Sequence, residues 1–170
     1  MKIRKAQAAD GPAIGKLQVA SMKAGFKDIV PPELFPPMDA GAQGDKYAEY
    51  AMQADCLTYV AEGEDGRLQG FICAGPNRGR EEEMDAELYA LYVRPESTAS
   101  GIGSALLAHL IKHIPETSGQ TSWRSLIVWF FAANKPAEKC YLKTGAEPLP
   151  YKNPPQGYIP IPHKACGWFF

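Results

Sequence analysis

The stretch Glu87-Leu-Tyr-Ala-Leu-Tyr-Val-Arg-Pro-Glu-Ser-Thr-Ala-Ser-Gly-Ile-Gly-Ser-Ala-Leu-Leu107 decides how this chain folds. It reads as strand, glycine turn, helix. Most residues up to Val93 are aromatic or bulky aliphatic, and alternation puts Glu87, Tyr89, Leu91 and Val93 on one face, with Leu88, Ala90 and Tyr92 on the other. Both faces are apolar enough to be covered, which predicts an interior strand. Pro95 then ends the pairing, because it has no N–H to give a neighbour. From Ser100-Gly101-Ile102-Gly103-Ser104 onward the apolar residues fall at Ile102, Leu106, Leu107, Leu110, Ile111 and Ile114, which is helical spacing.

A helix N-terminus carries unpaired N–H groups and partial positive charge, and glycines there let a ligand approach the backbone. The predicted guest is a phosphate or pyrophosphate. The turn has no lysine for a Walker loop, and it lacks the third glycine and later acidic residue of a dinucleotide fingerprint. A helix simply capped by Ser100, with glycines for a tight turn, accounts for the same residues without a ligand.

Tyr92-Val-Arg-Pro-Glu96, followed by Gly101-Ile-Gly-Ser-Ala-Leu-Leu107, resembles the acyl-CoA-binding segment of the GNAT superfamily of N-acetyltransferases. Leu126 to Ala146, with Asn134, Ala137, Tyr141 and Gly145, stands where that family carries its second segment. The resemblance spans nearly the whole chain and implies one α/β (α+β) domain over residues 1–170. The fold it implies is a mixed, mostly antiparallel sheet of about seven strands flanked by about four helices. It also implies acetyl-CoA as co-substrate and no metal. Backbone groups near Leu91, Tyr92 and Val93 would hold pantetheine, and N–H groups of Ala99, Ser100, Gly101, Ile102, Gly103 and Ser104 the pyrophosphate. Asn134 would reach pantetheine while also capping its helix, and Tyr141 would protonate the coenzyme A thiolate.

Acetyl transfer to an amine needs a bound thioester, a neutral amine, a donor for the carbonyl oxyanion and an acid for the leaving thiolate. A tyrosine phenol ordinarily titrates near pH ~10 and so stays protonated at neutral pH, which suits Tyr141 to the last task. A buried core tyrosine is the plainer account of it. Glu87 is the expected base for the amine, acting through water, against the alternative of a carboxylate paired with an arginine. Tyr89, Phe35 and Trp129 are the expected acceptor contacts. Thr98 and Ser100 stand where the family usually carries Gln, Arg or another basic residue. Phosphate binding would then rest on amides and hydroxyls, or draw a cation from Arg94 or Lys135. Cys140 replaces a commoner phenylalanine, and nothing near it marks a reactive thiolate.

The rest of the chain supplies context. Ile3 to Gln7 reads as a first strand, and Asp10 and Pro12 open a helix with its stripe at Ala13, Ile14, Leu17, Ala20 and Ala24. Phe26 to Asp45 is proline-rich yet carries Ile29, Val30, Leu34, Phe35 and Met38, so it reads as a lid or wall of the acceptor pocket, or a surface loop with an apolar underside. Lys46 to Gln53 reads as a second helix, and Leu57–Glu62 with Leu68–Ala74 as a hairpin. Arg78 to Asp85 reads as a solvated loop, Pro115 to Ser122 as a linker, Ser125 to Phe131 as a strand, and His163 to Phe170 as a closing strand in which Trp168 to Phe170 are structural.

With 45% hydrophobic and 22% charged residues, the composition is that of an ordinary soluble domain. A net charge of −1 suggests no nucleic-acid partner. Four scattered cysteines without CxxC spacing, and no long apolar run, point to reduced thiols, a cytoplasmic location and no membrane contact. His109 and His113 share a helix face but lack a third metal ligand, so they read as structural. The expected function is acetyl transfer to the primary amine of a small molecule or peptide by direct attack in a ternary complex. A protein N-terminal or lysine acetyltransferase and a non-catalytic acyl-CoA sensor stay open, and the resemblance allows a homodimer.

Overall fold

The computed structural model describes residues 1–79, 83–114 and 123–170. The strands are β1 (Lys2–Lys5), β2 (Leu57–Glu62), β3 (Leu68–Pro76), β4 (Ala86–Val93), β5 (Ser125–Phe131), β6 (Glu147–Leu149) and β7 (His163–Phe169). They form one sheet in the order β1-β2-β3-β4-β5-β7-β6. Every neighbouring pair is antiparallel except β4 and β5, which the helix between them makes parallel. The helices are α1 (Gly11–Phe26), α2 (Ala40–Met52), α3 (Ile102–His113) and α4 (Lys135–Lys143). The expected mixed sheet with flanking helices is therefore observed. The linker from Pro115 to Ser122 lies outside the described residues.

One face of the sheet carries α3, whose Ile102, Leu106, Leu107 and Leu110 pack on Ile72, Leu88 and Leu126. A helix of 12 residues is marginal by itself, so this packing holds it. The other face carries α1 and α2, through Ile14, Leu17, Tyr47 and Phe71. The α1 stripe differs from the expected one. Gly11, Ile14, Gly15, Leu17, Gln18 and Ser21 are buried, whereas Ala13, Ala20 and Ala24 are not. The cause is α2, which lies against the glycines: a Cβ on Gly15 would stand 2.0 Å from the Ala40 carbonyl oxygen.

Helix α2 also begins six residues before the expected Lys46, because Asp39 accepts from the Gly41 and Ala42 N–H groups at 2.7 and 3.3 Å. Gly41 and Gly44 obscured that start in the sequence. The wall segment shrinks accordingly to the connection between α1 and α2.

The simple alternation expected in β4 is broken. Ala90 pairs with Cys73 and Leu88 with Ala74, which leaves Tyr89 as the extra residue of a bulge. Ala86, Leu88, Leu91 and Val93 therefore share the α3 face, and Tyr89, Ala90 and Tyr92 the α1–α2 face. At the chain's end Trp168 is buried and donates to the Thr144 carbonyl at 3.2 Å, whereas Phe169 and Phe170 have exposed side chains and contribute through their backbone, Phe169 pairing with Ser125 and the Phe170 N–H donating to the Arg124 carbonyl at 2.9 Å. No helix among the described residues is long and apolar enough to cross a membrane.

Candidate active site

Parallel pairing between β4 and β5 covers only Ala86–Leu88 against Leu126–Val128. Beyond Leu88 both strands continue without bonding to each other. Alternate residues of a strand turn their N–H and C=O groups to opposite edges, so part of the Tyr89–Val93 backbone faces an open gap. The gap is a cavity of about 450 Å³, lined by Leu88 to Val93 on one side and Val128 to Phe131 on the other. Helix α1 closes its inner end: Phe26 packs on Phe131 at 4.9 Å and on Tyr92 at 6.4 Å, and Ser21 donates to the Val93 carbonyl at 2.8 Å.

Tyr141 lines this cavity from α4 and is 7% exposed, held edge-on between Phe130 and Trp168. Burial, then the neighbouring Cys140, raises its phenol above the ordinary tyrosine value, so it stays protonated. Asn134 lines the cavity too. Its Oδ1 accepts the Ala137 N–H at 3.2 Å, which makes it the N-cap of α4 and leaves its amide nitrogen as a donor.

The glycine turn is not part of the cavity lining but follows the Val93 end of β4 after a short turn at Pro95–Ser97, with Gly103 against Val93. Ala99 and Gly101 have φ of 65° and 85°, left-handed values that turn the chain into α3. No side chain caps α3, and its first internal bond runs from Ala105 N–H to the Gly101 carbonyl. The amides of Ile102, Gly103 and Ser104 therefore stand at an uncapped helix mouth. The hydroxyls of Thr98 and Ser100 fold back onto the Pro95 and Ser97 carbonyls, each at 2.5 Å. The basic residues considered as substitutes are engaged elsewhere. Arg94 donates to the Leu68 carbonyl at 2.6 Å, and Lys135 pairs with Glu138 at 2.9 Å.

Glu87 is 0% exposed and does not line the cavity. Its Oε2 accepts from the Arg78 backbone N–H at 3.2 Å and from Arg78 Nε at 3.0 Å. Its Oε1 accepts from Arg78 Nη2 and from the Tyr158 hydroxyl, the latter at 2.5 Å. Four donors fill the four lone-pair sites of a carboxylate. Glu87 is thus paired with an arginine, the alternative the sequence left open for it, and Arg78, exposed as expected of a solvated loop, also lines the cavity. Residues 80–82 of that loop lie outside the described residues.

Of the expected acceptor contacts, Tyr89 and Trp129 line the cavity. Tyr89 donates to the Pro76 carbonyl at 2.6 Å, and the buried Trp129 Nε1 has no partner among the described residues. Phe35 does not line it. It faces a separate depression with Lys23, Lys27, Val30 and Met38, and its neighbour Pro36 reaches the cavity in its place.

Lys46, Arg78 and Tyr158 are among the cavity residues the sequence did not single out. Tyr158 sits in an irregular proline-rich run with no periodicity to place it. Cys140 Sγ lies 3.4 Å from Ser104 Oγ, outside the lining. His109 packs edge-on and His113 at a tilt against Tyr59, and no metal-ligating group of three exists among the described residues.

Comparisons with known proteins bear on the family and the fold. A sequence profile of the acetyltransferase (GNAT) family matches residues 26–146. The uncharacterized N-acetyltransferase YuaI of Bacillus subtilis (strain 168) is 30% identical over 132 residues, which is 78% of this chain and 72% of that protein. Among solved structures, the ribosomal-protein-alanine N-acetyltransferase of Brucella melitensis matches with a TM-score of 0.75 at 24% identity, over 100% of both chains. The PaiA N-acetyltransferase of Thermoplasma acidophilum, solved in complex with coenzyme A, matches with a TM-score of 0.74 at 19% identity, over 99% of this chain and 98% of its own. These two share the fold.

Proposed function

The chain belongs to the acetyltransferase (GNAT) family and is an N-acetyltransferase, and on that premise we propose that it moves the acetyl group of acetyl-CoA to the primary amine of a small molecule within a ternary complex. The observation that carries the reading is the gap between β4 and β5, with Tyr141 in its wall. The unpaired β4 edge from Tyr89 to Val93 offers backbone groups to the two amides of pantetheine. Asn134 adds its amide nitrogen. The uncapped amides at the mouth of α3 suit the pyrophosphate.

In the reaction the amine nitrogen attacks the thioester carbonyl carbon, and a β4 backbone N–H in the gap meets the oxyanion. The C–S bond then breaks, the sulfur takes its proton from the Tyr141 hydroxyl, and the proton that the amine gives up to water returns to the tyrosinate, which restores the acid. Glu87 positions Arg78 and Tyr158 at the acceptor end. Pro36 on one side and Gln156 to Ile159 on the other wall this end, which favours a small acceptor over a polypeptide.

Calorimetry with acetyl-CoA tests the reading. The wild type is expected to bind at micromolar levels and Gly101→Glu not to bind, because a carboxylate at the α3 mouth repels phosphate. A Cβ on Gly101 would meet nothing within 4 Å, but its φ of 85° strains any side chain, so the melting temperature of the variant is measured beside its affinity. Equal affinities would place the coenzyme elsewhere.

A further inference from the structure

The acceptor end of the cavity has a net positive wall. Lys46 on α2 and Arg78 beyond β3 both line it, and no aspartate or glutamate does among the described residues. Glu87 lies behind the wall with its lone pairs taken up by Arg78 and Tyr158. Arg78 is therefore neutralised, but only in part. Its fork onto Glu87 leaves Nη1 without a partner among the described residues, and the ring of Tyr89, 4.2 Å from Cζ, fixes the plane of the guanidinium.

Lys46 is not neutralised at all. Its half-buried ammonium stands 4.8 Å from the Tyr47 ring centroid and makes no ion pair among the described residues. Burial, then the charge of Arg78, lowers its proton affinity below the usual lysine value, as expected of a cation lacking a counter-ion. A partly desolvated cation without an anion is costly unless a ligand supplies one.

We propose that the acceptor amine carries a carboxylate, as an amino acid does, and that Lys46 together with the free Nη1 edge of Arg78 binds it. The inference rests on the acetyl-transfer reading, since it names the second substrate of that site. The same charges act on the nucleophile. A positive wall disfavours an ammonium ion beside it, so the bound acceptor presents the neutral amine that attack requires. It also turns away polyamines, which bring further positive charge and no anion.

The test is calorimetric titration of the coenzyme A-saturated protein with L-methionine, L-glutamate and L-lysine, each beside its α-carboxamide. At least one acid is expected to bind about tenfold or more tightly than its carboxamide. Lys46→Gln should remove that preference and Lys46→Arg retain it, with acetyl-CoA affinity unchanged in both. Lys46 is the position to alter because replacing Arg78 would strand the buried Glu87 carboxylate and unfold the site. Carboxamides binding as well as their acids, no acid binding at all, or a preference that survives Lys46→Gln would each overturn the proposal.

Thiol release from acetyl-CoA separates the two readings. A carboxylate preference without thiol release overturns acetyl transfer and leaves the anion site standing. Thiol release with an equal or higher kcat/KM for amines lacking an acid group overturns the carboxylate site and leaves acetyl transfer standing.

Discussion

In the proposed reaction the chemistry turns on Tyr141, and its surroundings bear on what it can do. A phenol raised by burial cannot serve as a base near neutral pH, but it can give its proton to a thiolate. The rate should therefore show no falling limb below about pH 10, and kcat against pH checks this. His163 gives a second residue-level prediction, one of stability. Burial lowers its proton affinity below the ordinary histidine value, while its Nδ1 lies 2.6 Å from the Ile161 carbonyl. The unfolded chain thus binds the proton first. Stability from this group is fully present above the unfolded pKa of about 6.5 and declines as pH falls below it, down to the lower folded value. Melting temperatures from pH 5 to 7 should flatten in His163→Phe. Tyr141 was legible as a site candidate because it stands at a fixed spacing from Asn134. For Glu87 the arginine-paired alternative was legible in the sequence, but not which arginine would supply it, and the Tyr158 donor, 71 residues on, was not legible at all.

The elements owe their placement to a few backbone approaches. Helices α1 and α2 touch through glycines, where a Cβ on Gly15 would stand 2.0 Å from the Ala40 carbonyl oxygen and 2.6 Å from the Gly44 amide nitrogen. Gly15→Ala must push the helices apart and should cost about 1–3 kcal/mol or more in denaturant unfolding. A neutral outcome would mean that α2 shifts freely. Asn134→Ala should cost about 1 kcal/mol through loss of the α4 cap and also weaken acetyl-CoA binding, a pairing that calorimetry and unfolding check together. The long apolar patterns made α3 and β5 easy to read. The α1–α2 contact was harder, because buried glycines carry no hydrophobic signal. The β4 bulge was illegible, since an extra residue changes pairing without changing composition.

At the scale of the whole molecule, the seven strands and four helices of the described residues serve to hold one parallel pair open. The fold class was readable from two motifs in order, strand-turn-helix and then strand-Asn-helix. The acceptor end was not, because it is assembled from α2, the end of β3 and the proline-rich run before β7, segments brought together only by the sheet. Steady-state thiol release from acetyl-CoA across an amine panel, for the wild type and Tyr141→Phe with coenzyme affinity measured alongside, tests the central claim most directly. The account predicts amine-dependent thiol release that falls by roughly 100-fold or more in kcat in the variant, with acetyl-CoA affinity preserved. A variant that turns over as fast as the wild type would contradict it.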